Sequence, residues 1–188
     1  MKYIKLVLIS LIVVVPALAF ALYKPIRVLI PETFGVSCEQ NVCVDDSSQR
    51  KYAVALLKYS KETLRAQYGL NLDKPNIIFC STEKCKNIFG LGKKAAFSLG
   101  SFSIAIAPRG WKEHYVAHEL IHYWQAENFG SLTRLNGEPW FIEGMAYALS
   151  NDPRKKLHEP FESYRNRFTE WHHLHAGIPL IESVDEVL

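Results

Sequence analysis

The sequence predicts a single domain of the α+β class. Three observations support this class: the chain has 188 residues, hydrophobic residues make up 48% of it, and strand-like and helical patterns follow one another along it. A chain of this length builds one substantial core but is short for two. The patterns come in the order helix, strands, helix, helix, helix, so we expect a small mixed sheet and a helical C-terminal half.

The first helix is predicted to begin near the polar residues Asp45 to Ser48 and to stop at Gly69. The starting residues are good helix caps, and glycine commonly ends a helix. Between them, residues that suit a buried face recur at helical spacing. They are Ala53, Leu56, Leu57, Ser60, Leu64 and Tyr68. We expect this helix to lie across one face of the sheet.

Two strands are predicted next, from Asn76 to Cys80 and from Phe97 to Pro108. The first is a short run rich in residues that favour β-structure, and in the second small and large side chains alternate. The segment between them is rich in glycine and lysine, so a loop is predicted there.

Three helices are predicted in the second half of the chain. The first spans about residues 111–128 and stops near Gly130, the second begins at Pro139 and ends near Ser150, and the third begins at Pro160. Proline suits the first turn of a helix, and glycine suits its end. The segment SLTRLNGE, between the first two of these helices, is predicted to be a loop.

Residues 1–23 have the pattern of an export signal. Lys2 and Lys5 precede an apolar run from Leu6 to Leu22, which only Ser10 and a proline interrupt. Such a run spans roughly 25 Å as a helix, longer than most signal-peptide cores and somewhat short of a bilayer core of about 30 Å. The segment is therefore interpreted as a signal peptide or as an uncleaved N-terminal membrane anchor.

Residues 24–188 are predicted to form the single folded domain, facing an extracytoplasmic space. Small residues at cleavage-type spacing end at Ala19 and Ala21. Cleavage there would release a periplasmic or secreted protein, and without cleavage the domain would stay anchored in the inner membrane, facing outward. Contact with the membrane is expected only through the N-terminal segment.

The four cysteines form two local pairs, Cys38 with Cys43 and Cys80 with Cys85. In an exported protein this pattern favours two small disulfide loops. The alternative is a structural zinc site made by all four cysteines, which the spacing would tolerate.

The charge of the chain argues against nucleic acid as a partner. The formal net charge of +3 falls to about +1 without Lys2 and Lys5, and no basic cluster stands out.

The stretch HELIH places His118, Glu119 and His122 on a predicted helix. At 100° per residue, positions 118 and 122 point within about 40° of each other, so their imidazoles can reach one ion while Glu119 lies to the side. The rest of this helix has an apolar face for burial, made of Val116, Ala117, Leu120 and Trp124. Two structural alternatives without a metal stay open. The histidines could only hydrogen-bond to backbone, or Glu119 could only cap the helix or pair with a neighbour.

A second motif, PWFIEGMA, places a carboxylate, Glu143, on the next predicted helix. Gly144 beside it allows close approach of backbone where a side chain would crowd. Together with His118 and His122, Glu143 would provide three protein ligands, the number that leaves a catalytic zinc one open position for water.

These two motifs resemble the gluzincin branch of the zincin metallopeptidases. HELIH matches the first motif of that branch, and Trp140, Glu143, Gly144 and Ala146 match the W-x-x-E-G-x-A of its aminopeptidase-like members. The resemblance covers about residues 95–150. Two departures are visible: position 147 is tyrosine where thermolysin-like members carry an acidic residue, and the Gly-x-Met-Glu-Asn motif of aminopeptidases does not occur.

The resemblance implies a zincin-like domain in which His118, His122 and Glu143 bind Zn²⁺ and Glu119 acts as general base in the hydrolysis of peptide bonds. It also implies a hydroxyl or imidazole that stabilises the oxyanion, for which Tyr164 is our choice. The other candidates are Tyr147, His172, His173 and His175. His172, His173 and His175 could also form a second metal site, although adjacent histidines diverge on a helix.

Around this site, the predicted substrate is a peptide or protein, and zincins commonly bind one as an added strand. Ser101 to Ala107 is expected to be the edge strand that receives it, with an ordinary interior strand as the alternative. His114 shares the ligand face of the helix with Trp111 and Gln125 and could line the cleft or support the ligands, with a solvated histidine as the alternative.

The function predicted from the sequence is therefore that of an exported, zinc-dependent peptidase. The alternative is a non-catalytic zincin-like module that binds zinc and has an assembly or recognition role. Glu119 favours the enzyme, because a non-catalytic scaffold has no need of a base between its ligands.

Overall fold

The computed structural model describes residues 10, 12, 14, 15, 18, 20–183 and 187. The predicted signal peptide or anchor over residues 1–23, including Ala19, lies largely outside the described residues. Among the residues that are described, no helix combines the length and the apolar character needed to cross a membrane.

The described residues form a mixed arrangement of helices around a small five-stranded sheet, as expected for an α+β domain. The strands are β1 (Ser37–Glu39), β2 (Val42–Val44), β3 (Ile77–Phe79), β4 (Ala96–Leu99) and β5 (Ser103–Ile106). Their order in the sheet is β1-β2-β3-β5-β4. The two outer pairs, β1 with β2 and β4 with β5, are antiparallel, and the inner pairs are parallel.

Residues 24–183 contain seven α-helices and four short 3₁₀ turns. The α-helices are α1 (Arg50–Tyr68), α2 (Glu83–Ile88), α3 (Glu113–Phe129), α4 (Ser131–Asn136), α5 (Pro139–Leu149), α6 (Phe161–Leu174) and α7 (Leu180–Ser183). The 3₁₀ turns are Lys24–Leu29, Pro31–Phe34, Ser47–Gln49 and Pro108–Gly110. The predicted first helix and the three predicted C-terminal helices correspond to α1, α3, α5 and α6.

The sheet separates two apolar layers, because successive side chains of a strand point to opposite faces. On one face, Ile77, Phe79, Ile104 and Ile106 pack into the main core with α1, α3 and α5. On the other face, a smaller core lies under the N-terminal 3₁₀ turns and α2. Its buried members are Val28, Val36, Cys43, Ile78, Cys80, Cys85, Phe89, Leu91, Ala105 and Ala107. The main core holds α3 against the sheet and so positions the predicted metal motif.

The start and end of α1 show how local chemistry sets its limits. Asp46 caps a 3₁₀ turn by accepting a hydrogen bond from the backbone N–H of Ser48, and the α-helix follows from Arg50. At the other end, Gly69 adopts a left-handed conformation with φ of 69° and donates its N–H to the carbonyl of Arg65. The predicted stop at Gly69 is confirmed, and the helix begins slightly later than predicted.

The segment Phe97 to Pro108 is a hairpin and not the single strand predicted. β4 and β5 pair antiparallel, and Gly100, with φ of 54°, lies in the turn between them. The prediction that Ser101 to Ala107 forms the edge strand is therefore wrong, since β5 lies between β3 and β4, and β4 is the edge. The alternation of large and small residues shifts phase at Gly100-Ser101, where two small residues follow each other, and this break marks the reversal that the prediction of one strand did not use.

Two predicted loops contain short helices. α2 lies in the glycine- and lysine-rich segment and is capped by Thr82, whose hydroxyl accepts a hydrogen bond from the N–H of Cys85. The Asp45 carboxylate fixes this corner by accepting hydrogen bonds from the N–H groups of Ser81 and Thr82. α4 lies in the segment SLTRLNGE. Helices this short are stabilised by caps and tertiary packing more than by any periodic pattern.

Both predicted disulfides are confirmed. Cys38 is bonded to Cys43 across β1 and β2, and Cys80 is bonded to Cys85 between the end of β3 and α2. The alternative of a four-cysteine zinc site is thereby excluded.

Gly144 lets α5 pack closely on α6. A Cβ atom at this position would clash with the carbonyl oxygen of Tyr164 and would lie 2.9 Å from the Cβ of Phe168. Because the nearest obstacle is backbone, relief would require the two helices to separate.

We therefore expect Gly144→Ala to lower the free energy of unfolding by about 1–3 kcal/mol, as overpacking does. The gain in helix propensity of up to about 1 kcal/mol would offset this only in part. Urea denaturation of the two proteins measures the difference, and an unchanged or raised stability would contradict the close approach.

Candidate metal centre

α3 and α5 bring the predicted ligands together. His118 and His122 lie one turn apart on α3, and Glu143 reaches them from α5. The Nε2 atoms of His118 and His122 lie 3.7 Å and 3.4 Å from the nearer Glu143 carboxylate oxygens. The candidate ligand atoms of the three residues all lie within 4.8 Å of one another. The predicted ligand triad is therefore a real cluster in the fold.

The donor set suits zinc. Two imidazole nitrogens and one carboxylate oxygen form the three-ligand set of catalytic zinc sites. Ligand atoms about 2.0–2.1 Å from a tetrahedral zinc are separated by roughly 3.3 Å, and the two separations to Glu143 are close to this value. Small movements of the side chains would be enough to enclose the ion.

Gln125 fixes the orientation of His122. Its Oε1 lies 2.8 Å from the Nδ1 of His122, and its Nε2 donates to the carbonyl of Ile142 at 2.9 Å and contacts the Sδ of Met145 at 3.3 Å. Because an amide oxygen only accepts, Nδ1 carries the proton and Nε2 is the nitrogen left for a ligand role. Gln125 is fully buried, and its amide joins α3 to α5. The sequence-based placement of Gln125 on the ligand face is confirmed.

If this site binds zinc, Gln125→Leu should weaken that binding by about 10–100-fold, because His122 loses the acceptor that holds its ring and tautomer. Competition with a chromophoric chelator measures the affinity. Gln125→Glu is the matched variant: it also loses the donor to the Ile142 carbonyl but keeps an acceptor for Nδ1, so it should bind zinc more tightly than Gln125→Leu. Equal zinc affinity in Gln125→Leu and wild type would show that this contact does not orient the ligand.

The charges of the cluster shift the pKa values of its members in different directions. Burial and the neighbouring His122 lower the pKa of His118 to about 3. Burial acts to raise the pKa of Glu143, but the hydrogen bond and charge of His122 outweigh it and lower the value to about 2. Burial likewise acts to lower the pKa of His122, and Glu143 reverses this and raises it. His118 and Glu143 are therefore in the deprotonated forms that a metal requires at neutral pH.

Glu119 is buried beside the cluster but is not one of its three donors. Burial raises its pKa, and the negative charge of Glu143 acts in the same direction. His122, Arg134 and a hydrogen bond with the hydroxyl of Ser98 partly oppose this rise. A buried carboxylate with a raised pKa is a better proton acceptor than an ordinary surface glutamate.

All four residues, His118, Glu119, His122 and Glu143, open into one cavity of about 900 Å³. The edge strand β4 forms one side of this cavity, and residues of α3, α4 and α5 form the other. His114, which shares the ligand face, also lines it. A volume of this size can hold a segment of several residues.

Tyr147, and not Tyr164, is the tyrosine of the candidate set that the fold brings to the cavity. The ring of Tyr147 packs on that of His118 with centroids 4.5 Å apart. Tyr164 is half-buried on α6, where it packs against the main core and its carbonyl faces Gly144. His172, His173 and His175 lie near the C-terminal end of α6 and do not line the cavity.

Several polar residues of the cavity were missed in the sequence. Arg134 of α4 donates from Nη2 to the hydroxyl of Ser98 on β4 at 2.8 Å. Asp152 and Arg154 pair with each other after α5 and also line the cavity. Recognition of the hairpin would have placed Ser98 on the helix-facing side of β4, because it alternates with Phe97 and Leu99. No local pattern marks Arg134.

Comparison with known proteins adds no further assignment: no protein-family model, curated protein or solved structure matches this chain.

Proposed function

We propose that the protein is a zinc-dependent hydrolase that cuts peptide bonds. The observation that carries this proposal is the convergence of His118, His122 and Glu143 with a fourth group, the buried carboxylate of Glu119, in one cavity. A site that only stored zinc would need the three donors and no buried base beside them.

The chain's own residues would divide the work. His118, His122 and Glu143 would hold the ion, and Gln125 would keep His122 in the correct tautomer. Zinc in such a site supplies a Lewis acid that acidifies water and polarises a carbonyl. Glu119 would accept the proton of the attacking water and transfer it to the leaving amine.

Tyr147 is our candidate for the group that stabilises the developing oxyanion. It lies beside His118, and burial together with the charge of Glu143 raises the pKa of its hydroxyl. The hydroxyl therefore stays protonated at neutral pH and can donate a hydrogen bond.

The edge of the sheet supports a peptide as substrate. β4 is the outer strand of the described sheet, with β5 as its one neighbour, and its residues line the cavity. An extended peptide could add to this edge as a further strand, with its backbone held by β4 and its scissile bond near Glu119. The sequence pattern predicted this role for the segment 101–107. We now assign it to β4, Ala96–Leu99.

The two disulfides support a location outside the cytoplasm, where such bonds form and persist. We propose that the domain acts in the periplasm or beyond it, as the pattern of the first 23 residues also indicates.

The test is to measure zinc content and peptide hydrolysis of the wild-type protein together. We expect about one zinc per chain by elemental analysis and cleavage of a mixed peptide library detected by mass spectrometry. A chelator should remove both, and zinc should restore both. Stoichiometric zinc without cleavage of any peptide would instead favour the zinc-binding module with an assembly or recognition role.

A further inference from the structure

Arg134 brings a cation to the wall of the site cavity beside Glu119 and Glu143. The only hydrogen bond that its side chain makes in the described part of the chain runs from Nη2 to the Ser98 hydroxyl. Its Nε is buried and has no hydrogen-bond partner there. No ion pair is found for Arg134 within the residues that the structure describes.

The Arg134 guanidinium therefore has hydrogen-bond donors without acceptors among the described residues. It offers five N–H donors in a rigid fork that fits a carboxylate, and leaving a buried donor unpaired costs free energy. Burial lowers the pKa of Arg134, while the charges of Glu119 and Glu143 raise it and so help to keep it protonated. The two carboxylates attract Arg134 from a distance without forming a close pair with it.

A bound divalent ion would change the balance of charge around Arg134. Its two charges would cancel those of Glu143 and Glu119, and Arg134 would then be an uncompensated cation in a low-dielectric cavity. Elsewhere on the wall, Arg154 is neutralised by Asp152. A negative group from outside the chain would restore neutrality at Arg134.

The charges at the rim of the cavity also favour an anionic ligand. Lys93, Lys94 and Arg109 line it near β4, and none of the three forms an ion pair with a described residue. Such a cationic entrance raises the local concentration of anionic ligands.

We propose that Arg134 is a specificity-determining residue that binds a carboxylate of the substrate, so that the preferred substrates are acidic peptides. The inference rests on the proposed peptidase function. Ser98 lies on the edge strand and also contacts Arg134, so a peptide lying along β4 would bring a carboxylate within reach of the guanidinium. The carboxylate can come from an Asp or Glu side chain or from the free C-terminus of the peptide.

The experiment compares matched peptides that differ only in charge. One pair carries Glu or Gln near the bond that the library identifies as cleaved, and a second pair ends in a free carboxylate or an amide. For wild type we expect kcat/KM about 10–100-fold higher for the charged member of one pair, as for a charge-assisted hydrogen bond. The pair that shows this preference identifies the source of the carboxylate.

The variants separate recognition from structure. Arg134→Gln should lose the preference, and Arg134→Lys, which keeps the charge but not the fork, should retain part of it. Arg65→Gln, an exposed position on α1, is the matched control and should keep the full preference. Equal cleavage of charged and neutral peptides by wild type, or an unchanged preference in Arg134→Gln, would overturn the proposal.

A binding measurement makes the test independent of turnover. Calorimetry on the zinc-loaded Glu119→Gln protein should show about tenfold or tighter binding of the charged peptide, and Glu119→Gln/Arg134→Gln should not. Selective binding without cleavage by wild type would refute the peptidase and keep the carboxylate site. Cleavage without selectivity would support the peptidase and refute the carboxylate site.

Discussion

Glu119→Gln should reduce kcat/KM for a cleaved peptide by roughly 100- to 10,000-fold while the protein keeps its zinc. The amide has the shape of the carboxylate but cannot accept a proton. Glu119 is not one of the three clustered donors, so the metal content should not change. Elemental analysis and initial rates, measured on the same preparation, test both halves of this expectation.

Glu170→Gln is a suitable control, because it makes the same chemical change at an exposed position of α6. It should leave both zinc content and rate at the wild-type level. A Glu119→Gln protein with wild-type kcat/KM would remove Glu119 from the mechanism, and one that lost its zinc would indicate a role in metal binding instead.

Glu143→Ala should release the metal. The substitution removes one of three protein ligands, which should weaken zinc binding by more than the ~10–100-fold typical of losing an outer-shell partner. Zinc affinity by chelator competition is the direct measurement, and cleavage should fall in parallel at limiting zinc. The expected effect is larger than for Gln125→Leu, since Gln125 acts only through His122.

The matched control for this second variant is Glu138→Ala. Glu138 precedes α5, is exposed, and makes no side-chain capping hydrogen bond. It should bind zinc as wild type does. Full zinc occupancy in Glu143→Ala would mean that the third ligand lies elsewhere.

The long helices could be predicted from sequence because each buries a stripe of its surface. In α3 the stripe is wide: even Glu119, His122 and Gln125 are buried. The spacing of these residues indicated that two imidazoles share a face with a base beside them. That prediction depends only on helical geometry. The second motif predicted that Glu143 approaches the two histidines from the next helix. The packing of α5 on α3 brings it there.

Some of the elements that were missed carry local signals that went unused, and others depend on contacts that no short window contains. At Gly100-Ser101 two small residues follow each other and the alternation shifts phase, so a glycine and a break in the period together marked the hairpin, and the prediction of one strand used neither. α2 carries a signal that could have been used, since Thr82 is a capping residue placed three positions before Cys85. The position of the Arg134 side chain is set by tertiary packing, because its one hydrogen-bond partner among the described residues, Ser98, lies on a distant strand.

The two disulfides have a consequence for metal selectivity. Thiolates are softer and stronger ligands for zinc than imidazole and carboxylate, and four free cysteines would compete with His118, His122 and Glu143 for the same ion. All four are oxidised in pairs, and no free cysteine is present. Protein produced in a reducing cytoplasm would carry these cysteines as thiols able to bind zinc while the chain folds, so oxidative folding would also direct the metal to its proper ligands.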